Sequence, residues 1–154
     1  PFQCSKAIRT YTLVRVLTTD YERFASAVRG SDGDVDLFGA AMIVARVGRD
    51  RVDQHAAARK LDLIAETVLE AVNDTRDVEV LVQAIDHELF TVQGFHGNTA
   101  EYYDPANSFL NRVIERHSGI PLTLSLVFME VCQRVGLKLS SMSSQSVDIE
   151  RTPS

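Results

Sequence analysis

Residues 102–137 carry the stretch of sequence that decides the fold, YYDPANSFLNRVIERHSGIPLTLSLVFMEVCQRVGL. The Asp-Pro pair at 104–105 predicts a turn, because both residue types favour the start of turns. Asn107 or Ser108 is expected to cap the short helix that follows, since both side chains can accept from free helix N–H groups. Gly119 is expected to end that helix. Two successive helices are therefore predicted in this stretch.

The second of these helices is predicted to start at Pro121, where the missing N–H of proline is not needed. Its first half is apolar nearly all round, which indicates a central helix enclosed by the others. The start of such a helix exposes unpaired amides and a positive dipole end, which suit an anion or a thiolate. A purely structural role in capping and turning is the simpler alternative. Gly136 is expected to end the helix.

Apolar spacing predicts four more helices upstream, and residues 94–105 read as a loop. The predicted starts follow Asp20, Asp34 or Asp36, Asp53 and Asp77. Residues 137–139 could open a strand. We predict a mostly α fold with an N-terminal flank at 1–20, a helical domain at 21–139 and a tail at 140–154. The serine-rich tail is expected to be disordered, because it has too few apolar residues to bury.

The composition limits the possible functions. The chain has 154 residues, which favours a single domain, and its formal net charge is −5. An acidic balance argues against binding to nucleic acid or to an anionic membrane, because both need clustered Lys and Arg. No run of 18 apolar residues and no signal-peptide pattern is seen. Two cysteines, Cys4 and Cys132, favour free thiols in a reducing, cytoplasmic compartment.

Common catalytic and cofactor signatures are absent from the sequence. It has no glycine-rich phosphate loop, no Cys-x-x-Cys pair and no nucleophile elbow. The His-Glu pair at 87–88 begins a zinc-protease pattern, but Thr91 stands where the second histidine is required, so a surface pair is expected. Solvated side chains are also expected for His55, His96 and His117. Cys132 is expected to be structural, and we expect no metal and no cofactor.

The stretch from Asp104 to Ser125 resembles the hallmark of the SirB-type transglutaminase-like family, D-P-x-N-S-[FY]-L-N-x-V-[IL]-x-R-x-x-G-I-P-[IL]-[ST]-L-S. The sequence GFHGN at 94–98 is similar to the family's G-F-x-G-N, and residues 36–46 are similar to its early helix. The resemblance covers residues 20–139. The matching positions of the hallmark are Asp104, Pro105, Asn107, Ser108, Leu110, Asn111, Gly119, Ile120, Pro121, Thr123, Leu124 and Ser125.

The resemblance implies a six-helix transglutaminase-like helical portion whose usual C-terminal strands are missing. In transglutaminases and related cysteine hydrolases the nucleophilic Cys begins the central helix, and the matching position here is Pro121. The family's next strand carries a Gly-His-Phe motif, and no such motif follows Leu139. We therefore expect no enzymatic activity, because acyl transfer needs both a nucleophile and a base. Truncation or an altered C-terminal reading frame would explain the missing strand.

Three functions stay open. The leading one is a non-catalytic interaction or regulatory module for a protein partner, because relatives occur beside tetratricopeptide repeats or F-box segments, which serve protein contacts. The second is a hydrolase or acyl-transferase with Thr123 or Ser125 as nucleophile and His96 or His117 as base. The third is a truncated product without independent function. The candidate binding residues are Asp104, Asn107, Asn111, Gly119, Pro121, Thr123 and Ser125.

Overall fold

A computed structural model describes residues 19–29, 35–47, 52–73 and 75–137. The mostly helical fold predicted from the sequence is confirmed in this part of the chain. The expectations for the flank at 1–18, for a strand at 138–139 and for the tail at 140–154 lie outside the described residues. The helices are α1 (residues 19–27), α2 (Leu37–Val47), α3 (Gln54–Ala71), α4 (Val78–Asp86), α5 (Leu110–Arg116) and α6 (Pro121–Arg134).

The fourth predicted helix continues as far as Val92, because α4 is followed directly by a π-helical segment, His87–Val92. The loop expected at 94–105 contains a short strand, and a 3₁₀ turn covers Pro105–Ser108. Two short strands, β1 (His96–Gly97) and β2 (Ser118–Gly119), pair in parallel. The N–H of His96 donates to the oxygen of His117 at 2.9 Å. This pairing joins the loop before α5 to the turn after it.

Three of the predicted aspartate caps are confirmed. Asp53 accepts a hydrogen bond from the N–H of Ala56 at 2.9 Å at the start of α3. Asp77 accepts from the N–H groups of the first turn of α4. Asp36 accepts from the N–H of Gly39 at 2.7 Å and caps α2. Each carboxylate pairs with an N–H group that the helix itself leaves free.

The predicted ends of α5 are wrong at both termini. The helix follows Phe109, which makes no side-chain cap bond, while Asn107 and Ser108 lie in the preceding 3₁₀ turn. Asp104 caps that turn instead, which leaves the Asn107 side chain free for other contacts. The helix ends at His117 in the left-handed region, φ 54°, and not at Gly119. A local sequence pattern does not distinguish a 3₁₀ turn from the first turn of an α-helix.

The core lies where α6 packs against α2, α3, α4 and α5. The first half of α6 is less enclosed than the sequence predicts, because Leu122 is exposed and Leu126 and Phe128 are only half-buried. The large side chains that are fully buried are Met42, Leu61, Val68, Ile85, Leu89, Leu110, Val113, Ile114, Val127 and Val131.

The π-helical segment orients the chain between α4 and β1. The N–H of Gln93 donates to the oxygen of Glu88 at 2.8 Å, five residues back, and this spacing defines a π turn. Glu88 was expected on the surface, but its side chain is buried and accepts from Nε2 of Gln93 at 2.8 Å. Gly94 then takes φ 71°, and Phe95 enters the core. Glu88 follows the buried Ile85 by three residues, so the two side chains lie on the same face of the helix.

The end of α6 fixes the direction in which the chain leaves the helix. Gly136 has φ 89°, and its N–H donates to the oxygen of Gln133 at 3.1 Å. The N–H of Leu137 donates to the oxygen of Cys132 at 2.9 Å. These two bonds form a Schellman motif, which confirms Gly136 as the end of the helix. In the part of the chain that the structure describes, no helix combines the length and apolar character needed to cross a membrane.

Candidate functional site

Asn107 is the centre of a buried polar cluster, and only 2% of its surface is exposed. Its Oδ1 accepts from Nδ2 of Asn98 at 2.9 Å. Its Nδ2 donates to the main-chain oxygens of Glu101 at 2.8 Å and Tyr102 at 3.3 Å. The amide therefore pairs both of its ends, as a buried polar group requires.

Thr123 joins this cluster from the first turn of α6. Its Oγ1 lies 2.8 Å from the main-chain oxygen of Asn107 and 3.0 Å from that of Ile120. The N–H of Ile120 also donates to the oxygen of Asn107, at 3.3 Å. We call Asn98, Asn107 and Thr123, with the carbonyls they contact, the Asn107 hub. It connects the loop at 98–104 to the start of α6.

Gly119 packs directly against the hub. A Cβ atom at this position would lie 2.7 Å from Oγ1 of Thr123 and 2.7 Å from Cγ2 of Val113. Its main-chain oxygen accepts from the N–H of Asn98 at 3.1 Å. Glycine is needed here because the neighbouring side chains approach the backbone closely, and not because of a positive φ.

Asp104 fixes the outer edge of the site. Its Oδ1 accepts from the N–H of Ala106 at 2.9 Å, and its Oδ2 accepts from Nη1 of Arg116 at 2.8 Å. The hydrogen bond from Arg116 lowers the pKa of the Asp104 carboxyl, and the one from the Ala106 N–H acts in the same direction. The pair is partly exposed, so it positions the 3₁₀ turn more than it stabilises the fold.

The first two residues of α6 are exposed, and neither has a polar side chain. Pro121 is its first residue, as predicted, and it is exposed together with Leu122. The hydroxyl of Ser125 donates to the oxygen of Pro121 at 2.8 Å, on the outer side of the helix. Ser125 is exposed and lies outside the hub. Among the predicted site residues, Asn107, Gly119 and Thr123 therefore converge, while Ser125 does not join them.

Asn111 is buried in the first turn of α5, and its side-chain oxygen does not bond to the hub. Its Oδ1 has no hydrogen-bond partner among the described residues. An unpaired buried oxygen lowers the stability of the fold. In this respect Asn111 differs from Asn107, whose side-chain oxygen and nitrogen both have partners.

The two histidines nearest the site are fixed by carbonyl groups. His117 was expected to be solvated, but it is half-buried and stacks on Phe95 with 4.4 Å between the ring centroids. Its Nδ1 lies 2.6 Å from the oxygen of Gln93, so this nitrogen donates the hydrogen bond. Nδ1 of His96 donates to the oxygen of Gly94 at 2.9 Å, and the ring is exposed, as predicted.

Cys132 is fully buried on α6. Burial raises the pKa of its thiol, because the low-dielectric core disfavours the thiolate. Among the residues that the structure describes, no group of three or more His, Cys, Asp or Glu side chains could bind a metal ion.

Asn98 and Arg116 are site residues that the sequence interpretation missed. Asn98 links the hub to β2, and Arg116 pairs with Asp104. The only sequence signal for Asn98 was its place in the GFHGN motif. Arg116 carried a signal as the last basic residue of α5, but its partner twelve positions upstream is not visible from helix spacing.

The chain matches a known protein family. Residues 55–143, more than half of the chain, match the transglutaminase-like superfamily. The chain therefore belongs to this superfamily. No solved structure matches it.

Curated relatives carry two kinds of name. A UPF0162 protein of Xylella fastidiosa (strain Temecula1 / ATCC 700964) is 30% identical over 122 residues, which cover 79% of this chain and 43% of that protein. A UPF0162 protein of Vibrio cholerae is 28% identical over 81 residues, 53% of this chain and 30% of that protein. F-box only protein 21 of Mus musculus is 30% identical over 66 residues, 43% of this chain and 10% of that protein. The chain spans less than half the length of these relatives.

Proposed function

We propose that this chain is a SirB-type, non-catalytic transglutaminase-like domain that acts as an interaction or regulatory module for a protein partner. The observation that carries the proposal is Pro121 at the first position of α6. Proline has no nucleophilic side chain, and it has no backbone N–H that could donate a hydrogen bond to a negative charge developing on a substrate. In transglutaminases and related cysteine hydrolases the nucleophilic cysteine begins the central helix, and Pro121 is the position of this chain that matches it.

The hydroxyl groups near Pro121 support the same proposal. The proton of the Thr123 hydroxyl is directed to the main-chain oxygens of Asn107 and Ile120, and the side chain is buried. The hydroxyl of Ser125 donates to the oxygen of Pro121. An activated nucleophile instead donates to a general base. Among the described residues, neither hydroxyl has a hydrogen bond to a histidine.

Cys132 is a poor substitute for the missing nucleophile. It lies eleven residues along α6 from Pro121, about 16 Å at about 1.5 Å per residue. Its thiol is fully buried, and burial raises the pKa of that thiol, so the thiolate is disfavoured. The proposal includes a reducing, cytoplasmic location, in which this thiol stays free.

The exposed aromatic pair beside the hub supports a role in protein contacts. Tyr102 and Tyr103 are both exposed and pack edge to face, with 5.2 Å between the ring centroids. The main-chain oxygen of Tyr102 is fixed by Nδ2 of Asn107. Rigid, exposed tyrosines are favourable in protein interfaces because they bury a large area with little loss of entropy. The segment matched in F-box only protein 21 makes up 10% of that protein, so a similar sequence occurs there within a much longer chain.

The absence of catalysis is tested with a glutamine-donor peptide and a labelled amine. We expect no incorporation by the wild type, and none by Pro121→Cys, because no base would activate the new thiol. Ser125→Ala and Cys132→Ala are the matched controls. Incorporation by the wild type that is lost in Ser125→Ala, Cys132→Ala or Thr123→Val would overturn the non-catalytic proposal.

The interaction role is tested with the full chain as bait in cell extract. A photo-crosslinking residue at position 103 should trap a protein partner, and the same residue at exposed Leu63 on α3 is the matched control. Tyr102→Ala should reduce recovery of the partner in a pull-down, while Leu63→Ala should not. Equal trapping from both positions, or no trapping from position 103, would contradict the proposal and favour a product without independent function.

A further inference from the structure

Two exposed tyrosines share the loop before α5 with two carboxylates. Tyr103 is 92% exposed and Tyr102 is 63% exposed, and the two rings pack edge to face. Glu101 and Asp104 flank the pair directly, and 68% of the Glu101 side chain is exposed. We call residues 101–104 the tyrosine loop. Its surface combines aromatic rings with negative charge.

The Asn107 hub holds the main chain of the tyrosine loop in place. The N–H of Glu101 donates to Oδ1 of Asn98 at 2.9 Å, and the oxygen of Glu101 accepts from Nδ2 of Asn107 at 2.8 Å. The same oxygen accepts from the N–H of Asp104 at 3.0 Å. A loop fixed in this way loses little conformational entropy when a partner binds, so its exposed side chains are preorganised for contact.

Arg116 does not balance both carboxylates of the loop. Its Nη1 lies 2.8 Å from Oδ2 of Asp104, and its Nη2 lies 3.5 Å from Oε2 of Glu101. One guanidinium therefore serves two negative charges, which leaves an excess of one negative charge. Residues 94–111 contain no lysine or arginine, and the whole chain has a formal net charge of −5. The charges at this surface are therefore complementary to a cation.

Tyrosine rings and carboxylates recognise the same kind of group. The negative face of an aromatic ring attracts a guanidinium or an ammonium group, and a carboxylate pairs with either. Arginine is favoured over lysine, because its planar guanidinium stacks on a ring while it donates to a carboxylate. A proline-rich segment would pack on the rings but would leave the excess negative charge without a partner.

We infer that the tyrosine loop binds an arginine-containing, basic segment of a protein partner, with a guanidinium over the ring of Tyr103 and paired with Glu101. The inference rests on the proposed function, because it names the chemistry of the partner that the interaction module binds. Tyr102 orients the ring of Tyr103 through the edge-to-face contact. The acidic balance of the chain attracts such a segment at low ionic strength.

Fluorescence anisotropy of the full chain with a labelled arginine-glycine-serine repeat peptide tests the inference. The matched probe replaces each arginine by citrulline, which keeps the planar shape but has no charge. We expect the citrulline peptide to bind at least about fivefold more weakly, since it makes neither the cation–π contact nor the ion pair. Raising the ionic strength from about 10 mM to about 150 mM should weaken binding of the arginine peptide, because the Debye length falls from about 30 Å to about 8 Å.

Variants of the chain locate the contact. Tyr103→Leu should weaken binding of the arginine peptide by about two- to fivefold, while Tyr103→Phe should retain it, because phenylalanine keeps the ring face. Glu101→Gln should weaken binding by about the same factor. Glu79→Gln is the matched control, since Glu79 is an exposed carboxylate in the first turn of α4 and its removal changes the net charge equally. Thermal unfolding verifies that these surface variants are folded.

No binding of the arginine peptide at about 1 mM, or equal binding of the citrulline peptide, would overturn the inference. Equal effects of Glu101→Gln and Glu79→Gln would also overturn it, because they would indicate attraction to net charge alone. Tighter binding of a polyproline peptide would overturn it in favour of a proline-rich partner. The proposed function survives each of these results if a photo-crosslinking residue at position 103 still traps a protein partner, so the two failures are distinguishable.

Discussion

The hydroxyl of Thr123 donates to the main-chain oxygen of Asn107 at 2.8 Å, across sixteen positions of sequence. This bond connects the 3₁₀ turn before α5 to the first turn of α6. Both residues are almost fully buried, so removal of the Thr123 hydroxyl would leave the main-chain oxygen of Asn107 with one partner fewer in a buried position. Residues of the hallmark stretch therefore build a structural joint, and the first three predictions below test its parts.

Asn107→Ala should lower the free energy of unfolding by about 1–3 kcal/mol. The substitution leaves the Asn98 amide and the carbonyls of Glu101 and Tyr102 without their buried partner. Urea unfolding of the full chain measures the effect, and Ser108→Ala, one position along in the exposed part of the same turn, is the control. Equal midpoints for the two variants would remove Asn107 from its central role.

Thr123→Val should cost about 0.5–1.5 kcal/mol, because it keeps the shape of the side chain but removes the hydroxyl. Thr123→Ser keeps the hydroxyl and should retain the bond to Asn107. Ser125→Ala should change stability by less than about 0.5 kcal/mol, since Ser125 is exposed. A larger effect of Ser125→Ala than of Thr123→Val would contradict the assignment of Thr123 to the hub.

Gly119→Ala should destabilise the protein by about 1–3 kcal/mol through overpacking. The new Cβ would lie 2.7 Å from atoms of both Thr123 and Val113. Gly97→Ala is the matched control, because Gly97 pairs with Gly119 in the parallel strands but has nothing within 4 Å of its own Cβ position. Thermal unfolding should show a lower Tm for the first variant alone, and an equal loss in both would refute the steric explanation.

Asp104→Asn should reduce stability at neutral pH, and the difference from wild type should shrink as the pH falls. The pKa of the Asp104 carboxyl is lowered in the folded protein, chiefly by Arg116. Such a group stabilises the fold above its unfolded pKa of about 3.9, and the contribution is lost as the pH falls through the lower folded value.

The same pair can be tested by NMR titration. The pKa of the Asp104 carboxyl should rise in Arg116→Gln, because the largest cause of its lowering is removed. Arg112→Gln, on the same helix, is the comparison, because Arg112 pairs with Glu115 at 3.2 Å. An unchanged titration midpoint for Asp104 in Arg116→Gln would show that the pair does not form in solution.

The sequence predicts the helices better than it predicts the site. Asp53 and Asp77 are identified from residue type and position alone, because a cap contacts only its own helix. Asn107 was expected to do the same, but its side chain pairs with Asn98, and its main-chain oxygen accepts from the hydroxyl of Thr123 in α6. Interactions between distant positions leave no periodic pattern in a single sequence.

Burial of polar side chains was the other point that local patterns did not predict. Glu88 and His117 were both expected at the surface, yet one is buried and the other half-buried. Gln93, which lies between them in the sequence, pairs with both side chains. Its Nε2 donates to the Glu88 carboxylate, and its main-chain oxygen accepts from Nδ1 of His117. A polar residue can be placed inside only when its partners are known.

The π-helical segment His87–Val92 accommodates one residue more than an α-helix of the same course would. Deleting a single exposed position there, such as Thr91, would remove that extra residue and let the segment close as an α-helix of the same course. Phe95 would then keep its place in the core, and His117 would keep the ring on which it stacks. Deleting an exposed residue from a regular turn of α4, such as Gln83, would instead rotate every later residue by about 100° around the helix axis. A one-residue deletion should therefore be tolerated in the π-helical segment where it is not tolerated in α4.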